Sequence, residues 1–120
     1  MCKFIICGDV AVKLDVIGFG ALNVDKLYRV NRIAREGEES FVTDFHETPG
    51  GSAANTIVGL ARLSLKTGYM GKVANDREGK LLLEDFRKEG VNTDGIIVAN
   101  KGRSGVVNGY VNSKGERALC

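Results

Sequence analysis

The sequence has 120 residues, one domain's worth of chain, and its 43% hydrophobic and 27% charged content excludes a globally disordered polypeptide. A net charge of +2 with no basic block excludes a nucleic-acid or polybasic membrane surface, and apolar runs such as Phe4-Ile5-Ile6-Cys7 are far too short to span a bilayer. Gly8 and Asp9 interrupt the first apolar stretch before a signal-peptide core can form. The three cysteines, Cys2, Cys7 and Cys120, show no Cys-x-x-Cys spacing, which predicts a reduced, cytoplasmic protein with neither a disulfide framework nor a zinc site.

In chain order, residues 3–12 read as a possible extra strand within an N-terminal extension, residues 1–14. Asp15 to Gly20 reads as a short buried strand that ends in glycines. Residues 21–49 fit strands better than a helix, because Gly37 and the run Ser40-Phe41-Val42-Thr43 favour extended chain. A helix opens after Gly50-Gly51, with Ser52 as its expected N-cap and with Ala54, Ile57, Val58 and Ala61 on one face. Residues 67–71 predict a strand. A second helix follows, with Asn75 as N-cap and Glu78 at capping-box spacing, Leu82, Leu83 and Phe86 on its core face, and Gly90 at its stop. Ile96-Ile97-Val98 predicts a buried strand, residues 105–111 another, and Asn112-Ser113-Lys114-Gly115 a hairpin turn into a short return strand. Strands alternating with helices predict an α/β fold built on a parallel sheet.

Two glycine-rich sites bear on function. Gly18-x-Gly20-x-x-Asn23 after a strand, with Glu36 or Glu38 further on, has the outline of a degenerate dinucleotide fingerprint. It lacks the third glycine, no clean helix follows it, and a plain strand-ending turn accounts for it better. Gly50-Gly51-Ser52-Ala53-Ala54-Asn55 stands at a helix start, where backbone N–H groups lack partners and paired glycines let a ligand approach them. Such a place suits a phosphate, a carboxylate or a sugar hydroxyl, and Asn55 in the first turn offers both a donor and an acceptor.

Taken together and in order, these segments resemble the N-terminal part of PfkB-family, ribokinase-like carbohydrate kinases. Asp15 to Asp25 resembles that family's opening strand, with Asn23 and Asp25 at its substrate-contacting positions. Gly50-Gly51-Ser52-Ala53-Ala54-Asn55 resembles its Gly-Gly substrate motif. Gly71-Lys72-Val73-Ala74-Asn75-Asp76 through Gly79 resembles its Gly-x-Val-Gly-x-Asp segment, and Ser104-Gly105 with Asn112 to Arg117 resembles its lid strand and turn. Ala74 departs from the family's usual glycine, and Ile57 from its usual small residue.

The resemblance implies a partial ribokinase-like domain over residues 15–120, a parallel sheet with flanking helices plus a small β-sheet lid, with lid strands about 24–48 and 103–120. It implies the acceptor-binding half of an enzyme that moves a phosphoryl group from ATP to a sugar or nucleoside hydroxyl. Asn23, Asp25, Gly50, Gly51, Ser52 and Asn55 would bind that acceptor. The family's ATP and Mg2+ sites and its catalytic Gly-Ala-Gly-Asp aspartate have no counterpart between Gly20 and Cys120, so this chain alone is expected to be inactive and to contain no catalytic base. Asp15 is a rival to Asp25. The resemblance also implies a homodimer through the lid, with His46 as a surface or interface residue and with Tyr28, Phe41, Phe45 and Tyr110 in packing roles. A non-catalytic sugar-binding or dimerisation module and a dinucleotide-binding domain stand as alternatives.

Overall fold

The computed structural model describes residues 13–120. The expected strand over residues 3–12 lies outside them. The elements are β1 (Val16–Phe19), β2 (Asn23–Val30), β3 (Val42–Gly50), α1 (Ser52–Arg62), β4 (Thr67–Ala74), α2 (Arg77–Lys88), β5 (Ile96–Ala99), β6 (Gly105–Val111) and β7 (Arg117–Leu119). They form two sheets. One is parallel, in the order β1-β4-β5, and the other is mixed, in the order β3-β2-β6-β7.

The parallel sheet and its helices hold the core. The steps from β1 to β4 and from β4 to β5 run the same way across the sheet, and right-handed crossovers then bring α1 and α2 to the same face. Ile57 of α1 and Leu82 and Phe86 of α2 pack with Tyr69 and Val73 of β4. The Tyr69 and Phe86 rings lie 5.0 Å apart, tilted by 42°. Gly18 lets Ile57 and Tyr69 close on β1, because a Cβ there would sit 2.9 Å from the Tyr69 ring and collide with Ile57. The expected α/β class with a parallel sheet is therefore observed, together with a second, mixed sheet.

Some local expectations are corrected. Ser52 is the first helical residue of α1 and caps nothing; Gly51 is the N-cap, at φ +105, where a serine would be strained. Asn75 is not the cap of α2. Asp76 is, accepting a hydrogen bond from the Gly79 N–H at 2.8 Å. Glu78 does not close a capping box: with Asp76 as the cap it stands at the second helical position, one short of the box, and its carboxylate is engaged by Lys26. β4 runs on to Ala74. Only Ile96 of the Ile96-Ile97-Val98 run is buried; Ile97 and Val98 are 65% and 47% exposed. β5 is the sheet's edge strand, and Ile97 stands on the face opposite the helices, beside Lys72. Gly18-x-Gly20 runs directly into β2 with no helix between, so the helix N-terminus that a dinucleotide fingerprint needs is absent at that place.

The mixed sheet is built from β2, which starts right after β1 and pairs with β3 on one side and β6 on the other. Tyr28 stands between Phe45 and Tyr110, at ring separations of 5.0 and 5.4 Å, in cross-strand aromatic pairs. Asn112 organises the β6–β7 hairpin. Its backbone carbonyl accepts from the Gly115 N–H, and its side-chain oxygen accepts from the Lys114 and Glu116 N–H groups.

Candidate functional site

The two sheets meet at the corner between β1 and β2. Tyr69 holds that corner: its buried hydroxyl donates to the carbonyls of Gly20 and Ala21 at 2.9 and 3.2 Å. The Ala21 carbonyl also accepts from the Ala54 N–H at 3.3 Å, which binds the start of α1 to the same corner. Burial pushes the Tyr69 hydroxyl above its ordinary titration range, so it stays a donor at neutral pH.

From this corner β2 presents Asn23 and Asp25 on one face, two residues apart. The Asn23 side-chain amide donates to Asp25 Oδ1 at 2.6 Å. The antiparallel register sets Gly50 opposite Asn23 and Thr48 opposite Asp25. Gly50 is needed there: a Cβ would come within 2.6 Å of Asp25 Cγ and closer still to Oδ2. Gly51 is needed for a second reason. Its φ of +105 turns β3 into α1, and a Cβ would lie 2.6 Å from the Ala21 carbonyl carbon. On the other side of β2, Gly105 of β6 is in register with Asn23, where a Cβ would approach the Leu22 carbonyl at 3.0 Å.

Three of the residues singled out from sequence, Asn23, Asp25 and Gly50, thus come together around one carboxylate, and Gly51 follows directly, packed against Ala21. Ser52 and Asn55 lie beside them in the first turn of α1, both exposed. Asn55 shares a groove of about 330 Å³ with Thr48, Pro49 and Gly50, running between α1 and α2; Asn23 and Asp25 do not line that groove. The N-cap of α1 makes no side-chain bond, and among the described residues the Ser52 and Ala53 N–H groups have no acceptor. The arrangement offers a carboxylate acceptor, an amide held in place by it, two glycines that leave the backbone bare, and open helix N–H donors. It can grip a ligand rich in hydroxyls.

The rival Asp15 is elsewhere. It sits at the start of β1, where its carboxylate accepts from the Lys66 N–H at 2.9 Å. His46 is exposed on β3, opposite Leu27.

The sequence profile of pfkB family carbohydrate kinases matches residues 13–120. The chain belongs to that family.

Among its relatives, an uncharacterized sugar kinase of Archaeoglobus fulgidus is 52% identical over 62 residues, 52% of this chain and 24% of the relative. A 5-dehydro-2-deoxygluconokinase of Geobacillus thermodenitrificans is 38% identical over 89 residues, 74% of this chain and 25% of the relative. The fold is similar to that of a sugar kinase from Pyrococcus horikoshii solved in complex with ATP, at 30% identity and a TM-score of 0.70, over 88% of this chain and 33% of that one. This pfkB-family chain therefore spans about a quarter of the length of the curated kinases it matches and about a third of that solved structure.

The described residues contain no cluster of three or more His, Cys, Asp or Glu side chains that could hold a metal ion. No magnesium ligand or ATP contact is assigned to them. No described helix is long and apolar enough to cross a membrane.

Sequence reasoning missed the parts that position this site. Tyr69 is one; a tyrosine in a strand with small neighbours was the available signal, since a buried hydroxyl needs a partner. Asp76 is another. It accepts from the Ser104 N–H at 2.8 Å and the Ser104 hydroxyl at 2.7 Å as well as from Gly79, and these bonds hold its carboxyl below the usual carboxylate range. The Ser104 hydroxyl in turn accepts from the Ala74 N–H at 3.0 Å. The spacing Asp76-x-x-Gly79 was the available signal.

Proposed function

We propose that the protein carrying this chain transfers the γ-phosphoryl group of ATP, with Mg2+, to a hydroxyl of a sugar or nucleoside, and that residues 15–120 supply the acceptor-binding part. The observation that carries this reading is the Asn23–Asp25 pair seated against Gly50 beside the uncapped start of α1. The kinase names of the relatives and the ATP complex of the Pyrococcus horikoshii structure support the reaction class.

In the reaction, an acceptor hydroxyl oxygen bonds to the γ-phosphorus and the bond from phosphorus to the ADP oxygen breaks. The hydroxyl proton passes to a base outside residues 15–120. The chain's own work is positioning. Asp25 accepts hydrogen bonds from ring hydroxyls, which are charge-assisted and directional. Asn23, fixed by Asp25, presents its carbonyl oxygen to the acceptor. Gly50 and Gly51 admit the ring against the backbone, Ser52 offers its N–H, and Asn55 takes a further hydroxyl. The mixed sheet serves as the lid that closes over the acceptor and excludes water.

The same reading includes a homodimer through that lid. β3 is an edge strand; Phe41 just before it and Val42 and Phe45 within it are 70%, 53% and 49% exposed.

The test is turnover by the full-length protein, followed as ADP formation, with ribose, fructose, 5-dehydro-2-deoxygluconate and adenosine as acceptors. Phosphorylation of one acceptor, lost in Asp25→Asn, is the expected result. Binding of an acceptor with no phosphoryl transfer to any would replace the kinase with a non-catalytic sugar-binding module.

A further inference from the structure

Three consecutive residues at the start of α2 each hold a different strand of the mixed sheet. Asp76 binds Ser104, the residue before β6, through both its N–H and its hydroxyl. Arg77 grips Glu47 of β3, with Nη1 at 2.9 Å from Oε1 and Nη2 at 2.5 Å from Oε2. Glu78 accepts from Lys26 of β2 at 2.7 Å, and Lys26 also lies 3.9 Å from Glu47. Arg77 closes the circuit at 3.4 Å from Glu78.

The anchor points are not scattered over the sheet. Lys26 immediately follows Asp25 and faces the opposite side of β2. Lys26 and Glu47 are cross-strand partners, and the adjacent rung pairs Asp25 with Thr48. Ser104 precedes Gly105, the rung of Asn23. All three ties therefore fall within one residue of the Asn23–Asp25 rungs, on the reverse face or at the strand entry. Lys26, Glu47 and Glu78 have side chains only 22%, 13% and 18% exposed, so solvent screens their attraction less than it would at the open surface, whereas Arg77 is 65% exposed and contributes through its two-pronged grip on Glu47 more than through charge alone. Lys26 keeps its ammonium charged through its bond to Glu78, and Arg77 lowers the Glu47 carboxyl.

We propose that the turn Asp76-Arg77-Glu78 is a three-point clamp that positions Asn23 and Asp25 over Gly50, which makes Asp76, Arg77, Glu78, Lys26 and Glu47 positioning residues of the acceptor site. The clamp works from behind. It fixes the height and tilt of β2 relative to the helix layer, so that the carboxylate meets the acceptor without first searching for its place. Misplacement by about 1 Å is enough to weaken such a contact. The role in acceptor binding rests on the kinase reading above; the clamp itself does not.

The experiment uses the full-length protein with Lys26 and Arg77 neutralised together, Lys26→Met and Arg77→Gln, leaving the Asp76 cap of α2 intact. The acceptor KM, measured with whichever of the four acceptors named above is turned over, is expected to rise about fivefold while kcat and the KM for ATP stay within about twofold. Lys26→Arg alone is expected to behave as the parent. Amide exchange over residues 23–26 and 47–50, without any ligand, is expected to quicken in the double variant. Unchanged exchange in a folded variant overturns the clamp whatever the kinetics. Faster exchange with an unchanged acceptor KM, or with the KM for ATP rising in step, overturns its link to the acceptor site. Failure of the parent protein to phosphorylate any acceptor overturns the kinase reading and the role in acceptor binding with it, while exchange still decides whether the clamp exists.

Discussion

Two helices in this chain start in the same way, from the C-terminal end of a strand after a sharp turn, and finish those starts oppositely. α2 is closed: Asp76 caps it, bonds Gly79 within the helix, and spends its remaining capacity on Ser104. α1 is open: Gly51 caps it with no side-chain bond at all. A glycine cap with no side-chain bond costs a little stability, roughly a few tenths of a kcal/mol against Asp or Ser. A closed start serves the fold and leaves nothing for a ligand. The open start, with Asp25 and Asn23 directly above it, leaves donors for one.

The largest break in this contrast comes at Gly51. Gly51→Val forces a β-branched residue into a positive φ and against the Ala21 carbonyl, and is expected to lower stability by about 3 kcal/mol in a denaturant melt of the full-length protein. Asp76→Ala opens the closed helix and leaves the buried Ser104 hydroxyl without its acceptor, for an expected loss of about 2 kcal/mol. The same residue gives a pH signature. The folded-state pKa of Asp76 lies below its unfolded value, so its contribution is complete above about pH 4 and is lost as pH falls through the folded pKa. A melt series from pH 6 to pH 2 is expected to fall less steeply for Asp76→Asn than for the parent.

Tyr69→Phe removes the hydroxyl that holds the Gly20–Ala21 corner, at an expected cost of about 1 kcal/mol, read as a lower melting midpoint. The smallest effect belongs to the Arg62–Glu89 pair that joins α1 to α2 far from both starts. Arg62 is largely exposed, and Arg62→Gln is expected to leave the midpoint unchanged.

Much of the architecture was legible in the residues. Periodicity marked α1 and α2, glycines marked the end of β1 and the hairpin before β7, and the ordered motifs brought Asn23, Asp25 and Gly50 to one place. What was not legible depended on distance. By local propensity Ser52 is a better cap than Gly51, and Asn75 is as good a cap as Asp76. Gly51 displaced Ser52 because the chain must turn through a positive φ past Ala21, and Asp76 displaced Asn75 because Ser104 lies 28 positions away. The burial expected of Ile97 and Val98 failed because hydrophobicity does not reveal which face or edge of a sheet a strand occupies. Lys26 and Glu78 are 52 residues apart, and no local pattern joins them.

The central claim is that the open end of α1 and the carboxylate above it bind an acceptor. Calorimetric titration of the acceptor into full-length protein, without ATP, tests it most directly, comparing the parent with Asp25→Ala. The account predicts binding to the parent and a loss of roughly 1.5–3 kcal/mol, at least tenfold in affinity, for the variant. Equal affinities for the two folded proteins would contradict it.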